Sequence, residues 1–133
     1  MNEKYLICTR GFKNVTQNGK TTGFQLDVRI TYYRGVPLSC VEGFDITVDG
    51  ESFGADKIQY FAEGRLYTAE QAAEETKVRF QFYAPLTLVV AKPGGLVPGV
   101  HDVEVTEKLR ISYHTDKINP SRATARKKLA LVI

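Results

Sequence analysis

The sequence has few of the side chains that make metal or nucleophilic sites: two cysteines and two histidines in 133 residues, with one methionine and no tryptophan. Cys8 and Cys40 have apolar neighbours, which raise the pKa of a thiol and indicate two buried, free cysteines. A single disulfide or a reactive thiol is the alternative. His101 and His114 have no second histidine at the short spacing typical of a metal site, which favours surface or hydrogen-bonded histidines. A metal-binding pair on neighbouring strands is the alternative.

Long apolar runs are also missing, and the longest are Leu129–Ile133 and Leu88–Ala91. Both are much shorter than the ~20 residues of a membrane-spanning helix. The first residues contain Glu3 and only a short apolar stretch, so they do not resemble a signal peptide. We therefore expect a cytoplasmic protein.

The charge balance and the glycine pattern exclude further classes. The 18 Lys and Arg residues against 15 Asp and Glu give a net charge of +3, too small to indicate a nucleic-acid-binding or membrane-binding protein. The sequence has no G-x-S-x-G, P-loop or G-x-G-x-x-G motif. The glycines of Lys92–Gly95 suit a β-turn better than a phosphate-binding loop, because no helix is predicted after them. We predict no catalytic residue and no metal ligand in this chain.

Apolar and polar residues alternate through most of the chain, the pattern of half-buried strands. The clearest predicted strands lie at 24–32, 44–48, 78–82, 86–90, 103–105 and 109–113. Nine or ten short strands predict a single domain, residues 1–133, with the fold of an antiparallel β-sandwich with one short helix. A closed β-barrel is the alternative. The lack of tryptophan and of a Cys…Trp…Cys pattern argues against a true immunoglobulin domain.

Turn and capping residues fall between the strands. Asn18-Gly19 and Asp49-Gly50 predict type I′ hairpin turns, and Glu63-Gly64 predicts a third turn. Thr68 followed by Gln71 predicts a capping box at the start of a helix over 69–75. Segment 117–133 is basic and then apolar, and its last five residues predict a strand that this domain or a partner must cover.

The densest polar and aromatic stretch is Arg29-Ile30-Thr31-Tyr32-Tyr33-Arg34-Gly35. Tyrosine and arginine are enriched at recognition surfaces because they combine a large contact area with a directional polar group. The other interpretation is that one tyrosine packs in the core while the arginines are solvated, and both stay open at this point. The residues alone thus indicate a binding module or an accessory subunit.

Several short stretches carry a family resemblance. They are Gly11-Phe12-Lys13-Asn14, Thr22-Gly23-Phe24-Gln25, Val28 to Gly35, Val48-Asp49-Gly50-Glu51, Lys92-Pro93-Gly94-Gly95-Leu96 and Pro98-Gly99-Val100-His101. Over roughly residues 4–114 this pattern resembles the small β subunit of bacterial C-glycoside deglycosidases. Segment 117–133 lies outside the resemblance.

The resemblance implies a β-sandwich subunit without a cofactor of its own. Its partner would be a larger α subunit, a (β/α)-barrel that holds a divalent metal, usually manganese. Together they would cleave the carbon–carbon bond between a 3-oxo-glucosyl group and a flavonoid-type aglycone by β-elimination, a lyase reaction. The β subunit would stabilise the α subunit and shape its substrate pocket.

The composition of two segments predicts where such a partner or pocket is contacted. The candidates are Arg29, Tyr32, Tyr33 and Arg34, followed by Lys92 and Leu96 in the Lys92–Gly99 loop. Two other functions stay open: a free-standing sandwich that binds a carbohydrate or aromatic ligand, and a structural homo-oligomer joined through the apolar C-terminal strand.

Overall fold

The computed structural model describes residues 5–31, 35–110 and 121–131. Within these ranges the chain forms eleven strands and one short α-helix, with two 3₁₀ turns at Leu38–Cys40 and Ala55–Lys57. In chain order the elements are β1 (Lys13–Gln17), β2 (Lys20–Val28), β3 (Val36–Pro37), β4 (Val41–Val48), β5 (Glu51–Phe53), β6 (Ile58–Ala62), β7 (Arg65–Tyr67), α1 (Ala69–Ala73), β8 (Arg79–Phe80), β9 (Leu86–Ala91), β10 (Gly99–Leu109) and β11 (Ser121–Leu131).

Two antiparallel sheets face each other. One has the order β1-β2-β9-β6-β7 and the other β11-β10-β4-β5, while β3 and β8 form a separate two-stranded ribbon. Aromatic rings join the two sheets: the ring centroids of Phe24 and Phe53 are 5.4 Å apart, and those of Phe44 and Tyr60 are 5.9 Å apart. The predicted β-sandwich is confirmed. The closed-barrel alternative is wrong, because within the described ranges each large sheet ends in edge strands.

The core is made of alternate strand residues, as the periodicity predicts. Phe24 and Leu26 of β2 and Val103 and Val105 of β10 are completely buried, while the residues between them point outward. Buried apolar side chains from both large sheets form one continuous cluster. Each fully buried large side chain contributes about 1.5–3 kcal/mol, so this cluster is the main source of stability.

Two predicted strands are shorter than expected. The strand predicted over 24–32 ends at Val28, because the Arg29 N–H donates instead to the Leu6 carbonyl of the N-terminal segment. The strand predicted over 78–82 is reduced to the two residues of β8, and Phe82 is 52% exposed. Its partner β3 ends at Pro37, which has no N–H to extend the ladder.

The predicted turns and the helix cap are confirmed. Asn18, Asp49 and Glu63 all have φ near +50°, and the glycine after each also has a positive φ. The Gln71 N–H donates to the Thr68 hydroxyl at 3.1 Å, and the Thr68 N–H donates to the Gln71 side chain at 3.0 Å. The helix ends at residue 73 rather than 75. Among the described residues, no helix is long and apolar enough to cross a membrane.

The C-terminal strand is longer than the predicted five residues. β11 pairs with β10 along its whole length, from Gly99↔Leu131 to Leu109↔Ser121. Leu129 and Leu131 are 2% and 3% exposed, so these apolar side chains are covered by this chain itself. The basic side chains Arg122, Arg126 and Lys128 are exposed.

Gly23 provides a test of how closely the sheet is packed. A Cβ atom at this position would lie 1.9 Å from the Val90 carbonyl oxygen of the neighbouring strand. We expect Gly23→Ala to lower the free energy of unfolding by roughly 1–3 kcal/mol, measured by urea denaturation. Gly54→Ala is the control, because its Cβ would meet nothing closer than 3.6 Å. Equal stabilities of the two variants would contradict this packing.

Candidate functional site

Most of the stretches that carry the family resemblance meet at one end of the sandwich. There the segment 92–101 connects β9 to the start of β10 and lies against β1 and the turn between β4 and β5. Three residues fasten it: Asn14, Asp49 and Glu51. We call this segment and its three fastening residues the loop end.

Asn14 holds the middle of the segment with a pair of hydrogen bonds. Its side-chain nitrogen donates to the Leu96 carbonyl, and the Leu96 N–H donates to its side-chain oxygen, both at 2.9 Å. Gly95 precedes this pair with φ +65°, and a Cβ there would lie 2.5 Å from the Asn14 side-chain oxygen. The close approach of Asn14 therefore requires glycine at position 95.

His101 and Asp49 hold the far side of the segment. His101 Nε2 lies 2.7 Å from the Val97 carbonyl oxygen, and Nδ1 lies 2.6 Å from Asp49 Oδ2. The other carboxylate oxygen of Asp49 accepts from the Asp102 N–H at 2.8 Å. The imidazole side chain is 6% exposed and its ring contacts Phe12 edge-on, with ring centroids 6.0 Å apart. His101 thus closes the loop and packs against the core.

The hydrogen-bond partners of His101 set its protonation state. A carbonyl oxygen and an ionised carboxylate can only accept, so these two contacts favour the protonated imidazole, in which both ring nitrogens donate. Burial opposes this charge, but the hydrogen bonds to Val97 and Asp49 outweigh it and raise the pKa of His101. The His101 side chain and the Asp102 N–H lower the pKa of Asp49. The prediction of a hydrogen-bonded histidine is confirmed for His101.

The two predicted contact residues of the loop end, Lys92 and Leu96, make contacts within the chain itself. Lys92 Nζ donates to Glu51 at 2.7 Å and lies 5.9 Å from the centre of the Phe53 ring. Leu96 is 9% exposed. The predicted role of Lys92 and Leu96 in contacts stays a prediction. The most exposed large apolar side chains of this segment are Val97, 72% exposed, and Val100, 66% exposed. Sequence reasoning missed both because nothing in composition separates a valine on a loop surface from one in the core.

Arg29 lies at the opposite end of β2. Thr22 marks the loop end on this strand, because its carbonyl accepts from the Lys92 N–H. About 20 Å of extended chain separates Thr22 from Arg29. Arg29 lines a cleft of about 390 Å³ together with Cys8, Arg10 and Lys127. Tyr32, Tyr33 and Arg34 lie outside the described residues, and their predicted role in contacts stays a prediction. Arg29 and the loop end therefore form two separate regions.

Cys8 and Cys40 are both free thiols, as predicted, although each is half-buried rather than buried. Burial raises the pKa of the Cys8 thiol, while the nearby Arg29 lowers it. The net effect favours the neutral, weakly nucleophilic form.

A buried carboxyl group anchors the start of the tyrosine–arginine stretch. Glu107 points into the sandwich from β10 and is 1% exposed. Its Oε1 accepts from the Thr31 hydroxyl at 2.6 Å and from the Thr31 N–H at 3.1 Å. Its Oε2 has no hydrogen-bond partner among residues 5–31, 35–110 and 121–131. Burial raises the pKa of Glu107 to about 7, although the two bonds from Thr31 lower it. The sequence does contain a signal for this anchor, which sequence reasoning missed: Glu107 stands at an inward position of the alternation, between the buried Val105 and Leu109.

Metal-ligating side chains are not gathered in the described part of the chain. No group of three or more His, Cys, Asp and Glu residues there is arranged to hold an ion. His114 lies outside the described ranges. The loop end therefore offers packing surface and fixed geometry, with its one histidine fully engaged by Asp49 and Val97.

Comparisons with known proteins give the family of this chain. The family model for the C-glycoside deglycosidase beta subunit matches residues 2–113. A beta subunit of this name from Eubacterium cellulosolvens is 38% identical over 103 residues, covering 77% of this chain and 70% of the relative. One from Arthrobacter globiformis is 31% identical, covering 74% and 73%. A 3'-dehydrocarminate deglycosidase beta subunit from a Microbacterium species is 28% identical, covering 69% of each. The chain belongs to the C-glycoside deglycosidase beta subunit family.

The Asp49–His101 pair predicts a pH-dependent stability. Because the pKa of His101 is raised in the folded state, His101 stabilises the fold at pH values below its ordinary pKa of 6.5. This contribution is lost as the pH rises through the folded-state pKa. The lowered pKa of Asp49 stabilises the fold above 3.8, and this contribution is lost as the pH falls. We expect Asp49→Asn to lower the urea midpoint most between about pH 4 and 6.5, and less toward pH 9.

Asp45→Asn is the matched control, because Asp45 is an exposed carboxylate paired with Lys108 rather than with a histidine. The same pH dependence in both variants would contradict the assignment of a protonated His101.

Glu107 predicts the opposite trend. Its pKa is raised from 4.5 to about 7, so the folded state holds this proton more tightly and the group costs stability as the pH rises between these values. Glu107→Gln should therefore gain stability relative to the wild type from pH 5 to pH 8, by up to about 3 kcal/mol. Glu104→Gln, on the outer face of the same strand, is the control. A difference from wild type that does not change with pH would refute the buried, protonated carboxyl.

Proposed function

We propose that this chain is the non-catalytic β subunit of a heteromeric, metal-dependent C-glycoside deglycosidase. Its partner is a larger (β/α)-barrel α subunit, and the pair cleaves the carbon–carbon glycosidic bond of 3-oxo-C-glucosides with flavonoid-type aglycones. Family membership supports the proposal, since the relatives are named as beta subunits of deglycosidases.

The proposed reaction follows from the bond that must break. A carbon–carbon bond has no leaving oxygen to protonate, so ordinary glycosidase chemistry does not apply. A ketone at C3 of the sugar acidifies the proton at C2, and a base in the partner removes it. A C1=C2 double bond then forms as the C1–aryl bond breaks, and the aryl carbon takes a proton. A divalent metal in the partner would stabilise the developing enolate charge.

In that reaction this chain binds the α subunit and shapes its substrate pocket. The observation that carries the proposal is the loop end, where the family motifs build a fastened loop that presents Val97 and Val100 to solvent. Exposed apolar side chains in fixed positions suit a protein interface, because little conformational entropy is lost when a partner covers them. A subunit placed there can hold the partner's loops and exclude water from its pocket.

The homo-oligomer hypothesis stays open, because β11 is an edge strand of its sheet and Val132 and Ile133 lie outside the described residues, but it loses one support. It relied on an apolar C-terminal strand that needs a cover, and Leu129 and Leu131 are already buried within this chain.

We expect this chain to co-purify with the α subunit and to be required for full turnover of a 3-oxo-C-glucoside. In the double variant Val97→Asp, Val100→Asp, two desolvated carboxylates would face the partner, so the dissociation constant of the complex should rise about tenfold or more. The measurement is α-subunit pull-down, with turnover of the recovered complex.

Thr124→Asp is the control, because it adds a carboxylate at an exposed position of β11 that lies about 20 Å along the sheet from Val100. Unchanged assembly of the double variant would remove the loop end as the interface. Failure of the wild-type chain to assemble with, or to affect, the α subunit would refute the proposed function itself.

A further inference from the structure

The two large sheets have different outer faces. On the four-stranded sheet the outward side chains pair with each other across strands: Arg126 with Glu104, Lys128 with Asp102 and Lys108 with Asp45, each at 2.8 Å. Thr106 and Thr124 form a hydroxyl pair at 2.9 Å on the same face. Many polar groups of this face are therefore paired within the chain.

The outer face of the five-stranded sheet contains a groove of about 520 Å³. Its floor is made of small side chains on the middle strands β2 and β9, Gly23, Val89 and Ala91, while larger side chains on the outer strands form the walls. Phe61 and Leu66, which are directly paired on β6 and β7, make one wall. This volume falls in the range of about 300–1,000 Å³ that is typical of small-molecule sites.

Amide side chains in the groove have unused hydrogen-bonding capacity. Gln59 and Gln17 make no side-chain hydrogen bond in the described part of the structure, and Gln25 makes only a 3.5 Å contact to the Gly11 carbonyl. The register places Gln25 and Gln59 in one row across the sheet, on either side of Val89. An amide both donates and accepts, as a sugar hydroxyl does.

The groove also offers an apolar surface and little charge. The Phe61 ring is 45% exposed, on a strand that is paired on both sides. Lys13 is the one charged side chain of the lining among the described residues. Two amide side chains beside an aromatic ring suit a neutral molecule that has hydroxyl groups and one apolar face.

We propose that this groove binds a neutral glycoside, with Gln25 and Gln59 on the sugar hydroxyls and the Phe61 ring against an apolar face of the ligand. The site belongs to this chain alone and requires no partner subunit. A concave, amide-lined groove favours a small ligand, whereas the convex valines of the loop end favour a protein.

The test is titration of the isolated full chain with phenyl β-D-glucopyranoside, followed by amide NMR. We expect saturable shifts confined to β2, β6 and β9, with a dissociation constant that rises about fivefold or more in Gln59→Ala and in Phe61→Ala. Thr124→Ala, on the opposite outer face, should leave the constant unchanged. Circular dichroism of each variant checks that the fold is retained.

Three results would overturn the proposal: no saturable shift with millimolar ligand, shifts that map away from the groove, or an unchanged constant in both groove variants. Loss of ligand binding when the α subunit is added, with Phe61→Ala weakening assembly, would identify the groove as a protein interface instead. The first three results do not bear on whether the chain assembles through the loop end, which the Val97→Asp, Val100→Asp variant tests separately.

Discussion

Two exposed valines on a loop keep fixed positions only if other residues hold the loop backbone in place. Here the fastening comes from Asn14, which makes both hydrogen bonds of Leu96, and from His101, which bridges the Val97 carbonyl and Asp49. The protonated imidazole matters most, because it joins the loop, the hairpin turn after β4 and the core contact with Phe12 in one group. Without it the loop would become ordered only on binding, and the lost conformational entropy would weaken the affinity for a partner.

This constraint explains the roles of particular residues in the stretches that carry the family resemblance. Asp49 serves as a turn residue with φ +50° and as the acceptor for His101, so one residue meets a backbone and an electrostatic requirement together. Gly95 is required because Asn14 passes where a Cβ would lie. These residues therefore have structural roles, and together they fix the exposed surface of the loop end.

Much of the fold could be predicted from the sequence because the two-residue period, the Asn-Gly and Asp-Gly turns and the Thr68 cap are local signals. The early end of β2 could not be predicted, since it depends on competition from Leu6 for the Arg29 N–H. For the site, Lys92 and Leu96 were found by composition; Leu96 is buried, Lys92 pairs with Glu51 at the surface, and their contact with a partner stays a prediction. Contacts between segments distant in the chain decide which side chains are left exposed, and no local pattern records them.

The two ends of the sandwich have different physical characters. The loop end is closed by hydrogen bonds between groups that are each satisfied, whereas the opposite end contains Glu107, with one oxygen unpartnered and its pKa raised by burial to about 7. The family match ends at residue 113, so β11, which pairs with β10 over its whole length, lies outside it. β11 broadens the charged outer face of the four-stranded sheet and contributes none of the fastening residues of the loop end.

Amide hydrogen exchange of this chain, free and in complex with the α subunit, tests the central claim most directly. In the free chain, the Leu96 amide should exchange slowly, because Asn14 accepts from it. On assembly, the amides around Val97 and Val100 should slow further. Protection that appears only elsewhere in the chain, or a Leu96 amide that exchanges as fast as an exposed loop, would contradict the account.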